Sequence, residues 1–179
     1  MAEDDPLEEA AALSAEELAA IGGLIVDGSP HAMSLKMRTV SVAPGRCVLE
    51  APYDESLIGD PETKVIHGGV AMALLDHASG VAAALAMKGQ GSPATLDLRI
   101  DYYRAARPGR TLVAEARCVR TTRHIAFVSA SAHDGDPDDP VASAQSSFVI
   151  PANSAAREAA ARAGEPGEAP PSPPPEQRS

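Results

Sequence analysis

Apolar positions along the chain change their spacing twice. From Gly68 to Lys88 they are nearly continuous, with alanine, leucine, valine and methionine on every side. That density predicts one helix buried all round, ending at Lys88 and Gly89, where a basic residue and a glycine suit a helix C-terminus. From Thr95 the period becomes two: Leu96, Leu98, Ile100 and Tyr102 alternate with Asp97, Arg99 and Asp101. The alternation predicts a strand over 95–104, and similar patterns predict strands over 111–120, 125–132 and 141–150. Pro108-Gly109 and the run Asp134-Gly135-Asp136-Pro137-Asp138-Asp139 supply the turns between them.

Two shorter strands, 35–42 and 46–51, precede the helix and meet at Pro44-Gly45. Residues 52–66 read as a loop that approaches it. Further upstream, Ser14-Ala15-Glu16-Glu17 has the spacing of a capping box. A short helix is expected there, with Leu18, Ile21 and Leu24 or Ile25 on one face and a stop at Gly28-Ser29-Pro30. The fold class is therefore α+β, an antiparallel sheet wrapped around one long buried helix. Its outer face and edges are open to packing with further subunits. Three regions follow: an acidic N-terminal segment with a short helix (1–29), the sheet-and-helix domain (30–151), and a Pro/Ala-rich tail expected to be disordered (152–179).

Composition narrows the partners. The chain has 179 residues, 44% of them apolar, and a formal net charge of −10. An acidic chain is a poor match for nucleic acid. Arginine nevertheless concentrates between Arg99 and Arg123, a local basic region suited to a phosphorylated small ligand. Cys47 and Cys118 read as small core residues. The Asp134–Asp139 run reads as a solvated turn rather than a calcium loop, and no histidine or cysteine cluster has metal spacing, so no metal and no cofactor are expected. The start of the chain lacks a signal-peptide pattern, and Asp76 and His77 inside the long apolar run argue for a buried helix rather than a membrane span. A cytoplasmic location is expected.

The chemistry concentrates around His67-Gly68-Gly69 and Asp76. Backbone N–H groups at a helix start can hold a carbonyl oxygen or an oxyanion, and glycine lets a ligand come close. A carboxylate two turns into an apolar helix is costly without a purpose. Eight residues separate Gly68 from Asp76, about 12 Å along a helix. One small reacting group cannot touch both, so Gly68 of one subunit is expected to meet Asp76 of another across a two-fold axis. His77 points about 100° away from Asp76 and reads as a packing or interface residue. No Gly-x-Ser-x-Gly elbow is present, which disfavours a serine hydrolase.

Taken together, His67-Gly68-Gly69, Leu74-Leu75-Asp76, Gly80, Thr95-Leu96-Asp97-Leu98-Arg99-Ile100-Asp101-Tyr102, Arg107-Pro108-Gly109 and Arg123-His124-Ile125-Ala126-Phe127-Val128 resemble, in that order, a hotdog-fold acyl-CoA thioesterase of the PaaI-like group. The resemblance covers about Pro30 to Ile150. It implies a hotdog fold, a homodimer or homotetramer, and hydrolysis of an acyl-CoA to acid and coenzyme A without a metal. Asp76 is then base or nucleophile, Gly68 the carbonyl binder with Gly69 beside it, and His67 an orienting or contacting group. Thr95 falls where related enzymes place a hydroxyl that positions the acid or water. Asp60 is the nearest match to an asparagine that the family often carries before the glycines, but an ionised aspartate cannot donate a hydrogen bond. Arg123 and His124 match the segment near the nucleotide, with Arg104 and Arg120 as further candidates. A non-catalytic acyl-CoA sensor on the same fold is the alternative reading, and Asp76 argues against it. An enoyl-CoA hydratase would want a paired aspartate and histidine in a different context.

Overall fold

Thirteen-residue helix α1 (Ala15–Asp27) comes first among the described elements, followed by α2 (Pro30–Ser34), β1 (Arg38–Ala43), β2 (Arg46–Ala51) and a 3-10 turn (Glu55–Leu57). The long helix α3 (Gly68–Ala86) comes next, then β3 (Ala94–Tyr102), β4 (Leu112–Thr121), β5 (Ile125–His133) and β6 (Ala142–Val149). These elements come from a computed structural model that describes residues 14–87 and 92–149. The acidic start, the expected helix stop at Lys88 and Gly89, and the tail lie outside the described residues. All strand pairs are antiparallel, in the order β1-β2-β4-β5-β6-β3.

The core is made by small residues on both surfaces. Ala78, Ala82, Ala83 and Ala86 of α3 are buried, as are Ala114, Ala116, Ala130, Ala132, Ala142 and Ala144 of the sheet. Alanine facing alanine lets the helix axis approach the sheet closely, and Leu49, Leu74, Leu75, Leu85, Leu112 and Phe148 fill what remains. By length and apolarity α3 could cross a membrane, but 67% of that stretch is buried in the protein's own interior.

The curled sheet leaves one side of α3 open, and α1 covers it. The capping box forms as the sequence indicates: Ser14 Oγ accepts from Glu17 N at 3.2 Å, and Ser14 N donates to the Glu17 carboxylate at 2.8 Å. The docked face holds the expected Leu18, Ile21 and Ile25, and extends to Gly22 and Val26. Leu18, Gly22 and Val26 are buried, Ile21 and Ile25 are half-buried, and Leu24 is 77% exposed. Gly22 is a point of close contact, because a Cβ there would stand 3.0 Å from Val42 of β1 and 3.9 Å from Val81 of α3. Ser29 and Pro30 do not simply end α1; Ser29 caps α2 by accepting from Ala32 N at 3.3 Å, with proline in the first turn where no N–H is needed.

The β5–β6 turn also differs from its expectation. Asp136 and Asp138 are solvated, but the Asp134 side chain is fully buried. Arg104 donates to both of its oxygens at 2.8 Å, and Arg107 N donates to Oδ2 at 2.7 Å. The Arg104 guanidinium holds the Asp134 carboxyl well below the usual carboxylate range, against the effect of burial. This clamp ties the end of β3 to the turn. Asp134→Ala leaves Arg104 only Asp139 as an acidic partner among the described residues and, through the lost charged hydrogen bonds, should cost about 2 kcal/mol in urea unfolding near neutral pH. The folded-state pKa is depressed, so the carboxylate's contribution is present above the unfolded value of about 4 and lost as pH falls below it. The gap between wild type and variant should therefore narrow in acid; a gap that stays constant down to the acid limb would count against the clamp.

Candidate active site

His67 is the N-cap of α3. Its Nδ1 accepts from Gly69 N at 2.9 Å and its carbonyl accepts from Val70 N at 2.9 Å. Of the first three N–H groups of the helix, only that of Gly68 has no acceptor among the described residues. The two glycines answer different needs. A Cβ on Gly69 would lie 2.8 Å from His67 Nδ1, so the cap itself requires glycine. A Cβ on Gly68 would meet only the Tyr102 ring, at 3.5 Å, an ordinary contact. Packing within one chain does not demand glycine at 68; access to its N–H does. Tyr102 steadies this peptide by donating its hydroxyl to Gly68 O at 2.9 Å.

The preceding loop folds back on itself, with Gly59 N donating to Val65 O at 2.8 Å and His67 N to Leu57 O at 2.9 Å. Asp60 closes this turn. Its oxygens accept from Glu62 N at 2.9 Å and from the Thr63 hydroxyl at 2.6 Å, and the latter bond leads in holding its pKa below the ordinary value. Both oxygens are thus engaged locally, and Asp60 shares no hydrogen bond with Gly68, Asp76 or Thr95 among the described residues.

Asp76 is half-buried at the middle of α3, and Thr95 Oγ1 donates to its Oδ1 at 2.9 Å. A β-bulge makes this contact possible. Thr95 pairs with Phe148 but Asp97 with Ser147, so Leu96 is an extra residue in β3. Without it, Thr95 would face away from Leu98; with it, Thr95 joins Leu98 and Ile100 on the side of the sheet that meets α3, and Leu96 is left 55% exposed. Asp76 Oδ2 has no partner among the described residues. Both residues border a cavity of about 600 Å³ between α1, α3 and the start of β3, with Ile25, His77, Gly80 and Phe148 in its wall. Burial pushes the His77 imidazole below its ordinary pKa, the Ile25 carbonyl opposing the shift, and its Nε2 is buried without a partner among the described residues. A neutral imidazole follows, set beside the carboxylate rather than paired with it.

The basic candidates separate. Arg123 and His124 are exposed in the β4–β5 hairpin. That hairpin stands at the Thr95 end of the sheet, since Ile125 pairs with Val149 and Val149 with Ala94, roughly 10 Å across two strand spacings. Arg120 lies opposite Phe127 on the outer face, beyond a second bulge at Val119. Arg104 is at the far end, its guanidinium committed to Asp134 and Asp139. Tyr102 and the α1 residues Ile21, Leu24 and Ile25 also border these features without having been singled out from sequence.

A family model described as the thioesterase superfamily matches residues 63–141, a span containing Gly68, Asp76 and Thr95. A Halobacterium salinarum protein whose name calls it an esterase is 33% identical over 145 residues, covering 76% of this chain and 94% of that one. The chain belongs to the thioesterase superfamily. A Pseudomonas aeruginosa protein of known crystal structure is 28% identical, with a TM-score of 0.69 over 75% of this thioesterase-superfamily chain and 99% of its own. The E. coli PaaI protein, from a phenylacetic acid degradation operon, shares the hotdog fold at 16% identity, with a TM-score of 0.68 over 76% and 95% of the two chains. The matched span leaves out α1 and Phe148, which also border the cavity. If His67 caps the helix as described, Gly69→Ala should cost about 1 kcal/mol or more of unfolding free energy through loss of the cap, and Gly68→Ala clearly less. Equal losses in chemical denaturation would contradict the assignment of the two glycines.

Proposed function

We propose that this protein hydrolyses an acyl-CoA thioester to the free acid and coenzyme A, at a site shared between two subunits. The observation that carries the reading is the opposed anchoring of Gly68 and Asp76. Asp76 is bonded to Thr95 at one end of β3, and Gly68 to Tyr102 at the other. β3 is an edge strand, with Leu96 and Tyr102 each about half exposed. Unpaired edges invite a second strand. Antiparallel pairing of β3 with its copy about a two-fold axis near Leu98 would set Thr95 of one subunit against the Tyr102 end of the other. Gly68 and Asp76 would then meet twice per dimer.

The chemistry follows from these groups. Asp76 takes a proton from water as its oxygen attacks the thioester carbon, and the carbonyl oxygen takes up negative charge facing the Gly68 N–H and the positive end of α3. Collapse of the tetrahedral intermediate breaks the carbon–sulfur bond, and the proton held by Asp76 passes to the departing thiolate. Thr95 keeps the carboxylate oriented. Arg123 and His124 serve the nucleotide phosphates, since Arg104 already has two carboxylate partners.

A panel of acyl-CoA esters should show thiol release by the wild type. Asp76→Ala should lower kcat at least ~100-fold, and Thr95→Val by roughly 10-fold through loss of a charged hydrogen bond. A wild type that cleaves no thioester, or an Asp76→Ala variant at full rate, rules the reading out. For the shared site, inactive Gly68→Val and Asp76→Ala chains are mixed and heterodimers isolated. One intact site, and hence partial activity, is expected; silent heterodimers of folded chains would place both groups in one subunit's site.

A further inference from the structure

The cavity beside Asp76 is larger than hydrolysis itself requires, and its lining has a direction. Asp76, Gly80 and Ala84 all border it. They are spaced four residues apart, so they form a single row along α3. The row runs away from the carboxylate for about 12 Å. From Gly80 to Ala84 it contains no side chain larger than a methyl group, and His77 borders the cavity beside it. On the α1 side the wall is aliphatic, with Ile21, Leu24 and Ile25, while Ser29, His77, Ser92 and Thr95 add polar groups elsewhere in the lining. Phe148 flanks the floor, its ring carbon 3.5 Å from where a Cβ on Gly80 would stand. Among the described residues no lysine or arginine borders the cavity, which favours a hydrocarbon over coenzyme A phosphates there.

We propose that the acyl chain of the substrate lies in this cleft along the Asp76–Gly80–Ala84 row, that the preferred substrates are unbranched medium-chain acyl thioesters, and that Gly80 sets the chain length accepted. This rests on the thioesterase reading above and extends it to the substrate class. An extended chain advances roughly 1.2 Å per bond, so the row accommodates a chain of about eight to ten carbons, with the first turn of the helix, to Gly80, passed by the fourth or fifth. Leu24 stands exposed at the rim of the cleft.

The test is the ratio of kcat/KM for decanoyl-CoA to that for butanoyl-CoA, measured for the full-length wild type, Gly80→Val and Gly80→Ala. The wild type should favour the longer chain. Gly80→Val should lower the ratio by roughly 10-fold or more, since each lost methylene contact discriminates by about that factor. Gly80→Ala, whose Cβ fits at ordinary contact distance from Phe148, should fold normally and fall in between. Folding of all three is checked by thermal unfolding, and the alanine variant decides the case if the valine variant does not fold. A ratio that does not move in a folded Gly80 variant, or a wild type that prefers acetyl-CoA or phenylacetyl-CoA to every straight medium chain, overturns this proposal while leaving thioester hydrolysis standing. No hydrolysis of any thioester overturns both.

Discussion

Everything in this fold depends on how closely α3 approaches the sheet. Alanine on the helix faces alanine on β4, β5 and β6, and the helix sinks until little of it remains uncovered. A buried helix can present functional groups at its N-terminus and along whatever stripe the sheet fails to reach. Gly68 is at the first of these and Asp76 on the second. Close packing therefore does more than stabilise: it leaves few positions on α3 where a substrate can approach, and it holds them at fixed separation. The stripe would be an exposed apolar strip without α1. Helix α1 shields it, with Gly22 docked on β1 and α3, and Ile21 and Ile25 both packed on the core and bordering the cleft.

Electrostatics in an acidic chain show a related economy. With a net charge of −10, the protein repels polyanions unless cations are set apart locally. Sequence alone groups Arg104, Arg120, Arg123 and His124 as one basic region. The fold divides them. Arg104 neutralises a carboxylate that burial would otherwise make prohibitively costly, and in doing so it leaves the pool of groups available to a ligand. Arg123 and His124, exposed in a hairpin, have no carboxylate partner among the described residues and stay available to solvent or substrate. Spacing in the sequence carries no information about which arginine a buried aspartate will claim, because Asp134 reaches Arg104 across 30 residues.

What was legible beforehand was whatever a local pattern determines. The continuous apolar run gave α3, the alternation gave the strands, and Ser14 with Glu17 gave the start of α1. The His67-Gly68-Gly69 motif and Asp76 could be read because glycine and charge stand out against an apolar background. Three things escaped. Alternation assigned Leu96 to the same face as Leu98, which is right only for a regular strand; a bulge is a property of two strands and leaves no mark on one. Gly22 of α1 leaves no signal because a glycine scores as a gap in a hydrophobic pattern, although here it is a point of close contact with Val42. Tyr102 looked like one more alternating aromatic, and its hydroxyl finds Gly68 only across 34 residues of chain.

The bulge has a consequence for the whole assembly. Thr95 reaches Asp76 because Leu96 is squeezed out of register, and the expelled Leu96 stands on the open edge of β3. An edge strand has less to hold an irregularity in place, since β6 is the one strand paired with it among the described residues. In the proposed dimer a second β3 would lie along that edge and cover Leu96, so the contact that joins two subunits would also fix the irregularity that orients the carboxylate. Assembly and catalysis would then share a structural cause at both ends of the strand, through Thr95 at one and Tyr102 at the other. On this account a monomer lacks more than the partner's glycine: its own aspartate is also less firmly held.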